Sequence, residues 1–357
     1  FPIDCWLSLL HDDFTCKQNK REIKPMPKVI RLHQPTGADG LQIDDIPLTD
    51  PPENTVRIRV SACCLNWGDV DYMQDNYTQT LADLPARIGH DSVGVVDAVG
   101  NNIDSSWIGK RVCSLPYFSG PYGEHGEFAI IHHDSIVEAY KDFSDIEAAS
   151  VMGQYTTAYF GLIKQGNINK DSKILISAAT STAGIAAIKI ANMIGATTVC
   201  TTRDKDNKSF LNEMGASEVL ISEDENFPSM IREVTCGDGV DIVFDPINGR
   251  FFNQYLYSLA DNAKIILYGG IDDSTVELDL EAQLELTKRN ATLRFFSVQN
   301  YADQMDEAVK FIESGFDNGD LMPVIDKTFA FEDFQDAYAY MASKRKTYGK
   351  IVLTINQ

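Results

Sequence analysis

Lys173-Ile174-Leu175-Ile176-Ser177-Ala178-Ala179-Thr180-Ser181-Thr182-Ala183-Gly184 reads as a short apolar strand, a turn of small side chains, and the entry to a helix that continues from Ile185 to Ile194. A helix entered this way offers free backbone N–H groups and the positive end of its dipole, which suit a phosphate. The small residues Ala179, Thr180, Ser181, Thr182, Ala183 and Gly184 let an anion approach the backbone. The strict G-x-G-x-x-G signature of dinucleotide sites is missing. Taken alone, the turn suits a plain helix entry as well, so its neighbours decide the reading.

A second apolar strand, Thr197 to Thr201, ends about 20 residues past the turn, where a dinucleotide fold places its ribose-reading residue. An NAD site wants Asp or Glu there. This chain has Thr202 and Arg203, with Lys208 nearby. A guanidinium at that point suits a 2′-phosphate through charge-assisted bonds, which favours NADP(H). The plainer alternative is a pair of surface cations, and Asp204 and Asp206 mix the local field.

Glu218–Ile221, Val240–Asp245 and Lys264–Tyr268 are further apolar strands. Helical stretches separate them at 206–214, 229–234 and about 251–260. Such alternation predicts a parallel sheet covered on both faces. Asn248, Tyr268, Gly269 and Gly270 stand at strand ends, where open α/β sheets bind ligands, and so join the expected cofactor site. Ordinary turn chemistry also accounts for the glycines.

Upstream, Val56–Val60 alternates apolar and polar residues, and glycines punctuate 89–126. Residues from about 30 to 140 therefore predict a β-rich domain. The tail carries helical patterns at 302–314 and 331–342, an extended piece at 321–325 and a final strand, Lys350–Thr354; it is expected to return to the first domain. The expected division is an extension at 1–25, a β-rich domain at 26–150 completed by 299–357, and a nucleotide-binding domain at 151–298.

The formal net charge of −21 argues against nucleic-acid or anionic-lipid partners. No apolar run approaches the ~20 residues of a membrane span. Seven cysteines without a C-x-x-C pair point to reduced thiols and a cytoplasmic setting. Residues 1–25 are polar after a short apolar piece, Cys5–Leu10. Asp4 stands where a signal peptide wants positive charge, so Met26 reads as an ordinary start.

Together, GHDSVGVVDAVG (89–100), GKRVCSL (109–115), MGQYTTAY (152–159), SAATSTAGIAAIKIANMIGA (177–196), CTTRDKDNK (200–208), DPINGRFF (245–252), LMPVIDKTF (321–329) and YGKIVLTI (348–355) resemble the medium-chain dehydrogenase/reductase superfamily, in its zinc-free, quinone oxidoreductase-like branch. The likeness runs from about Pro27 to the C-terminus. It implies an α/β fold: a Rossmann doubly wound parallel sheet inserted in a GroES-like β-rich domain, with the active cleft at their junction. Ser181-Thr182 replaces the family's usual glycine pair. By resemblance Asn66 lies near nicotinamide and substrate, Thr157 touches the nicotinamide ring, and Gln154 and Lys350 complete the cofactor set. Relatives also pair the strand at 291–297 across a two-fold axis, which, with an exposed apolar edge, predicts a homodimer.

The resemblance places zinc ligands of metal-bearing relatives at Asn66, His90 and near Gly153. One ligand in three cannot hold a catalytic zinc, so no metal is expected. Donors for an oxygen gaining negative charge must then come from side chains, backbone or the cofactor ribose. The expected catalytic residues are Asn66, Asp69 and Tyr72. Tyr117, Tyr122, His125, Gln154 and Tyr155 are further cleft candidates, although Tyr72 also suits packing and His125 a surface position. The implied activity is NADPH-dependent reduction of a quinone, enone or other activated carbonyl. An alcohol dehydrogenase-type enzyme and a non-catalytic dinucleotide-binding protein are the alternatives.

Overall fold

The computed structural model describes residues 26–116, 123–272, 274, 276 and 278–355. The expected extension at 1–25 and the candidates Tyr117 and Tyr122 lie outside them.

Six parallel strands form one sheet, in the order Glu218–Ile221, Thr197–Thr202, Lys173–Ile176, Val240–Asp245, Leu259–Leu267, Thr292–Phe295. Counted along the chain this is 3-2-1-4-5-6, the doubly wound Rossmann order. The inner strands are buried on both faces: Ile174, Leu175 and Ile176, and likewise Val243 and Phe244, have no exposed surface. The helices Met152–Tyr159, Thr182–Ile194 and Met305–Asp317 cover one face around Ile174, Ile176 and Phe244. A second cluster, built on Phe227, Phe252 and Tyr255, covers the other. The strand order reverses between Lys173–Ile176 and Val240–Asp245, so the turn quoted above opens at the switch point.

The second domain is GroES-like and antiparallel over most of its extent. Its sheet runs Ile325–Ala330, Lys350–Thr354, Thr55–Cys64, Ser92–Val99, Arg111–Ser114, Ile136–Glu138, and Phe128–His132 also pairs with Thr55–Cys64. The long strand Thr55–Cys64 sits centrally because it alternates buried and outward residues along most of its length. Its end meets the tail strand in register, Val352 opposite Cys64. The tail strand is thus part of the sheet built on Thr55–Cys64.

Some local boundaries differ from expectation. The helix expected at 251–260 covers only Gly249–Tyr255, and the next strand begins at Leu259 rather than Lys264. Asp261 and Asn262 hid it: they break the apolar run, and Asn262 takes a left-handed backbone (φ 63°). The helix at 302–314 lies at Met305–Asp317, after a tighter turn over Val298–Gln304. Thr292–Phe295 is a sheet edge, with Phe295 73% exposed. Among the described residues no helix is long and apolar enough to cross a membrane.

Candidate active site

The phosphate turn is braced from below. The Ser177 hydroxyl donates to the buried Asp245 carboxylate, which also accepts from Tyr255 Oη at 3.0 Å and from the Ile247 N–H at 2.8 Å. Ala179 N–H donates to Thr201 O at 3.1 Å, tying the turn to the neighbouring strand. Ser181 caps the helix by accepting from Gly184 N–H at 3.1 Å. Its φ of −69° needs no glycine, so losing the family's glycine pair changes the space available rather than the backbone. Gly184 does need to be glycine: a Cβ there would lie 2.8 Å from Ala179 Cα, and the helix could not seat against the turn.

Room for a dinucleotide continues along the strand ends. A Cβ on Gly270 would meet nothing within 4 Å. Tyr268 stacks on Phe244 with ring centroids 4.0 Å apart, and Gly269 and Gly270 beside it are exposed. Asn248 holds a strained backbone (φ 63°, ψ −149°), and its buried Oδ1 has no hydrogen-bond partner among the described residues. Such an orphaned acceptor fits a ligand hydroxyl. Arg203 and Lys208 are exposed past the second strand, next to buried Thr202. Asp204 is bound by Lys344 Nζ at 2.6 Å, and Tyr348 Oη donates to Asn207 Oδ1 at 2.8 Å. The tail loop of the GroES-like domain thus reaches the expected ribose end of the site. Together these features fit a nicotinamide dinucleotide.

The cleft floor is a buried polar network. Asn66 precedes the helix Trp67–Met73, where Asp69 Oδ2 accepts from the Asn66 N–H at 2.8 Å. Asp69 Oδ1 pairs with His90 Nδ1 at 2.9 Å. Lys350 Nζ donates to Asp91 Oδ2 and to Asn66 Oδ1, each at 2.5 Å, and the Lys350 and Asp91 side chains are both 1% exposed. Burial, the largest single influence, works to lower the Lys350 pKa, but the Asp91 charge and hydrogen bond together with Cys64 and Asp69 outweigh it, and the net shift is upward. Removing one partner of such a pair strands the other, at a cost of about 3–5 kcal/mol. Burial pushes Glu124 up to about 7, against hydrogen bonds from Ser114 and Ser92 that pull it down. The same burial raises the Cys63 and Cys64 thiols, which excludes them as nucleophiles at neutral pH.

Expected cleft residues fare differently. Gln154 is buried, and Thr157 is half-buried with its hydroxyl donating to Gly153 O at 2.8 Å. Asp69 is 1% exposed with both oxygens engaged, so it positions Asn66 and His90 rather than facing a ligand. Tyr72 is buried, and its hydroxyl accepts from the Ala82 N–H at 3.1 Å, as a packing tyrosine does. Tyr155 Oη donates to Met322 O at 2.7 Å, away from any opening. His125 is not a surface residue: it is fully buried, with Nε2 3.1 Å from Cys64 O, and burial lowers its pKa against the pull of Asp69. Gly89 makes the room for it, since a Cβ there would lie 2.1 Å from the ring. Asp91 and Glu124 are buried members of this polar network that sequence reasoning misses. The only signal for Asp91 is its place beside His90.

These residues do not fit a catalytic zinc. Of the three ligand positions, Asn66 has its oxygen on an ammonium and Gly153 has no side chain, which leaves His90, held through Nδ1 by Asp69, as the one imidazole donor. A Cβ at 153 would lie 2.5 Å from the Asp91 carboxylate. An ammonium against the oxygen donor repels a divalent cation. No group of three or more His, Cys, Asp or Glu suited to a metal occurs among the described residues.

The Asp69–His90 pair predicts a pH dependence. Burial favours neutral forms of both, but their mutual charge and hydrogen bond win: Asp69 is lowered from 3.8 and His90 raised from 6.5. The His90 contribution is therefore full below about pH 6.5 and is lost as pH rises through its folded pKa. The Asp69 contribution is present above about pH 3.8 and is lost as pH falls through its folded value. The melting temperature should decline above about pH 6.5, and His90→Gln should remove that decline. An unchanged alkaline slope in the variant would refute this.

Comparison with known proteins adds the following. The alcohol dehydrogenase GroES-like domain family matches residues 52–141, and the zinc-binding dehydrogenase family matches residues 183–314. A phenolphthiocerol/phthiocerol polyketide synthase of Mycobacterium tuberculosis is 30% identical over 92% of this chain, which spans only 15% of that protein's length. A 2-haloacrylate reductase of Burkholderia sp is 25% identical, covering 90% of this chain and 97% of its own. The structure of a quinone oxidoreductase from Pseudomonas syringae superposes with a TM-score of 0.83 at 23% identity, over 92% of this chain and all of the other.

Proposed function

Because this chain belongs to the medium-chain dehydrogenase/reductase superfamily, in its quinone oxidoreductase-like branch, we propose that it is an NADP(H)-dependent oxidoreductase that reduces a quinone, enone or other activated carbonyl without catalytic zinc. The observation that carries this is the cleft floor: an amide held by a buried lysine stands where a metal-dependent relative would present a ligand. The relatives named a quinone oxidoreductase and a 2-haloacrylate reductase support the substrate class.

NADP(H), when bound, supplies the hydride. The turn at Ala179–Gly184 would hold its pyrophosphate on backbone N–H groups, and Arg203 with Lys208 would take the 2′-phosphate. Lys344 neutralises Asp204, which leaves Arg203 less opposed. Thr157 would meet the nicotinamide ring, and Gln154, Asn248 and Tyr268–Gly270 would complete the cofactor's contacts. Asn66 donates to the acceptor's oxygen as that oxygen gains negative charge. Asp69, Tyr72 and Lys350 hold this frame from behind.

A quinone and enone panel should show NADPH oxidation that survives dialysis against a chelator. Loss of activity that zinc restores would overturn the metal-free reading. Dinucleotide binding without turnover across the panel would favour a non-catalytic protein. The protein is further read as cytoplasmic and homodimeric, joined at the edge strand Thr292–Phe295, where Phe295 is exposed; Leu280 and Leu284 of the preceding helix Leu280–Lys288 are exposed as well. Light scattering at micromolar concentration should give twice the chain mass, and Phe295→Glu should halve it. A monomeric parent protein would refute the dimer.

A further inference from the structure

Lys350 begins the tail strand and lies beneath the cleft, shielded from water. Its ammonium carries only donors. Two of them are accounted for, on Asp91 Oδ2 and on Asn66 Oδ1. The Asn66 amide has one acceptor oxygen and two N–H donors. An ammonium cannot bond to the NH2 end, so the lysine dictates which way the amide faces. The backbone N–H of Asn66 is separately fixed by Asp69 Oδ2. The remaining end, Nδ2, has only a marginal contact with Cys64 O at 3.5 Å. An amide free to turn over would present its oxygen to the cleft half the time and repel an oxygen gaining charge.

We propose that Lys350 is a positioning residue for the reduction: it clamps the Asn66 oxygen, so that Nδ2 is presented as a donor to the acceptor, and Asp91 holds the clamp in place. The clamp rests on the reading of Asn66 as the donor. It also strengthens that donor, because a cation on the amide oxygen polarises the N–H bonds at the other end. The lysine acts through Asn66 and touches no reacting atom.

Lys350→Met alone strands Asp91, so the test uses Lys350→Met with Asp91→Asn. That pair is expected to melt cooperatively and to bind NADPH within about threefold of the parent. Its kcat should fall about 10- to 100-fold, the scale of a small misplacement at the reacting centre, with a smaller change in KM. In an Asn66→Ala background the same pair should lower kcat no further than about twofold. Lys350→Arg keeps the charge and, if the double variant does not fold, carries the same comparison, with a smaller loss. An undiminished kcat, or an equal loss with and without Asn66, would overturn the clamp. A readout independent of turnover is the side-chain NH2 resonance pair of Asn66 in ¹⁵N-labelled protein, assigned by its loss in Asn66→Ala. It should shift when Lys350 is replaced; an unmoved pair overturns the clamp. A parent protein inert towards every acceptor, in which the pair still shifts, overturns the reductase reading and supports the clamp.

Discussion

Asn66→Ala should lower kcat/KM for the acceptor by about 10²- to 10³-fold, the loss seen when one preorganised donor to a developing oxyanion is removed. NADPH affinity should change by only a few-fold, because the phosphate turn and the ribose end carry binding and lie on the other domain. The loss should appear in kcat more than in KM, since the interaction strengthens only as charge grows on the oxygen. Folding should lose about 1–2 kcal/mol, because Asn66 stands at a helix N-cap and accepts from the buried Lys350, but should stay cooperative. Asn66 is half-buried, and its backbone N–H keeps its bond to Asp69 whatever the side chain. Stopped-flow measurement of NADPH oxidation, with a parallel fluorescence titration, separates the two quantities. A variant that keeps kcat and loses only dinucleotide binding would move Asn66 out of the chemistry.

Arg203→Ala should weaken NADPH binding about 10- to 100-fold and leave NADH binding nearly unchanged, so the ratio of the two dissociation constants collapses. A guanidinium bonded to a phosphate is worth one to two factors of ten, and the exposure of Arg203 places it towards the lower figure at physiological salt. The parent's preference for NADPH should itself shrink as salt rises, because an exposed cation is screened. Titrating both cofactors at two salt concentrations gives all four numbers. Equal affinities in the parent protein would remove the basis for NADP(H), whatever the variant does.

The parallel sheet was legible because its strands are continuous apolar runs, and a run such as Lys173–Ile176 has few other places to go. Glu218–Ile221 and Lys350–Thr354 were readable to the residue for the same reason. Leu259–Leu267 was cut short because burial there survives Asp261 and Asn262, which a local pattern cannot foresee. The candidate site was harder. Asn66, Thr157 and Arg203 came from motif and position. The pairing of Lys350 with Asp91 joins residues 259 apart, and no local periodicity encodes a charge that is buried only because a distant partner meets it. His125 misled for a related reason: its glycine-rich surroundings suggest a surface turn, yet a Cβ on Gly89 would strike the His125 ring and one on Gly126 would strike the Val29 side chain.

The strand Lys350–Thr354 closes a sheet that began with Thr55–Cys64, and the Rossmann sheet is inserted between the two. A nascent chain threading from the ribosome can therefore complete its dinucleotide-binding half long before the lysine beneath Asn66 has been synthesised. In the proposed reaction the acceptor side is thus assembled after the cofactor side, and a product that stops short of residue 350 is expected to keep a cofactor grip while reducing acceptors far more slowly.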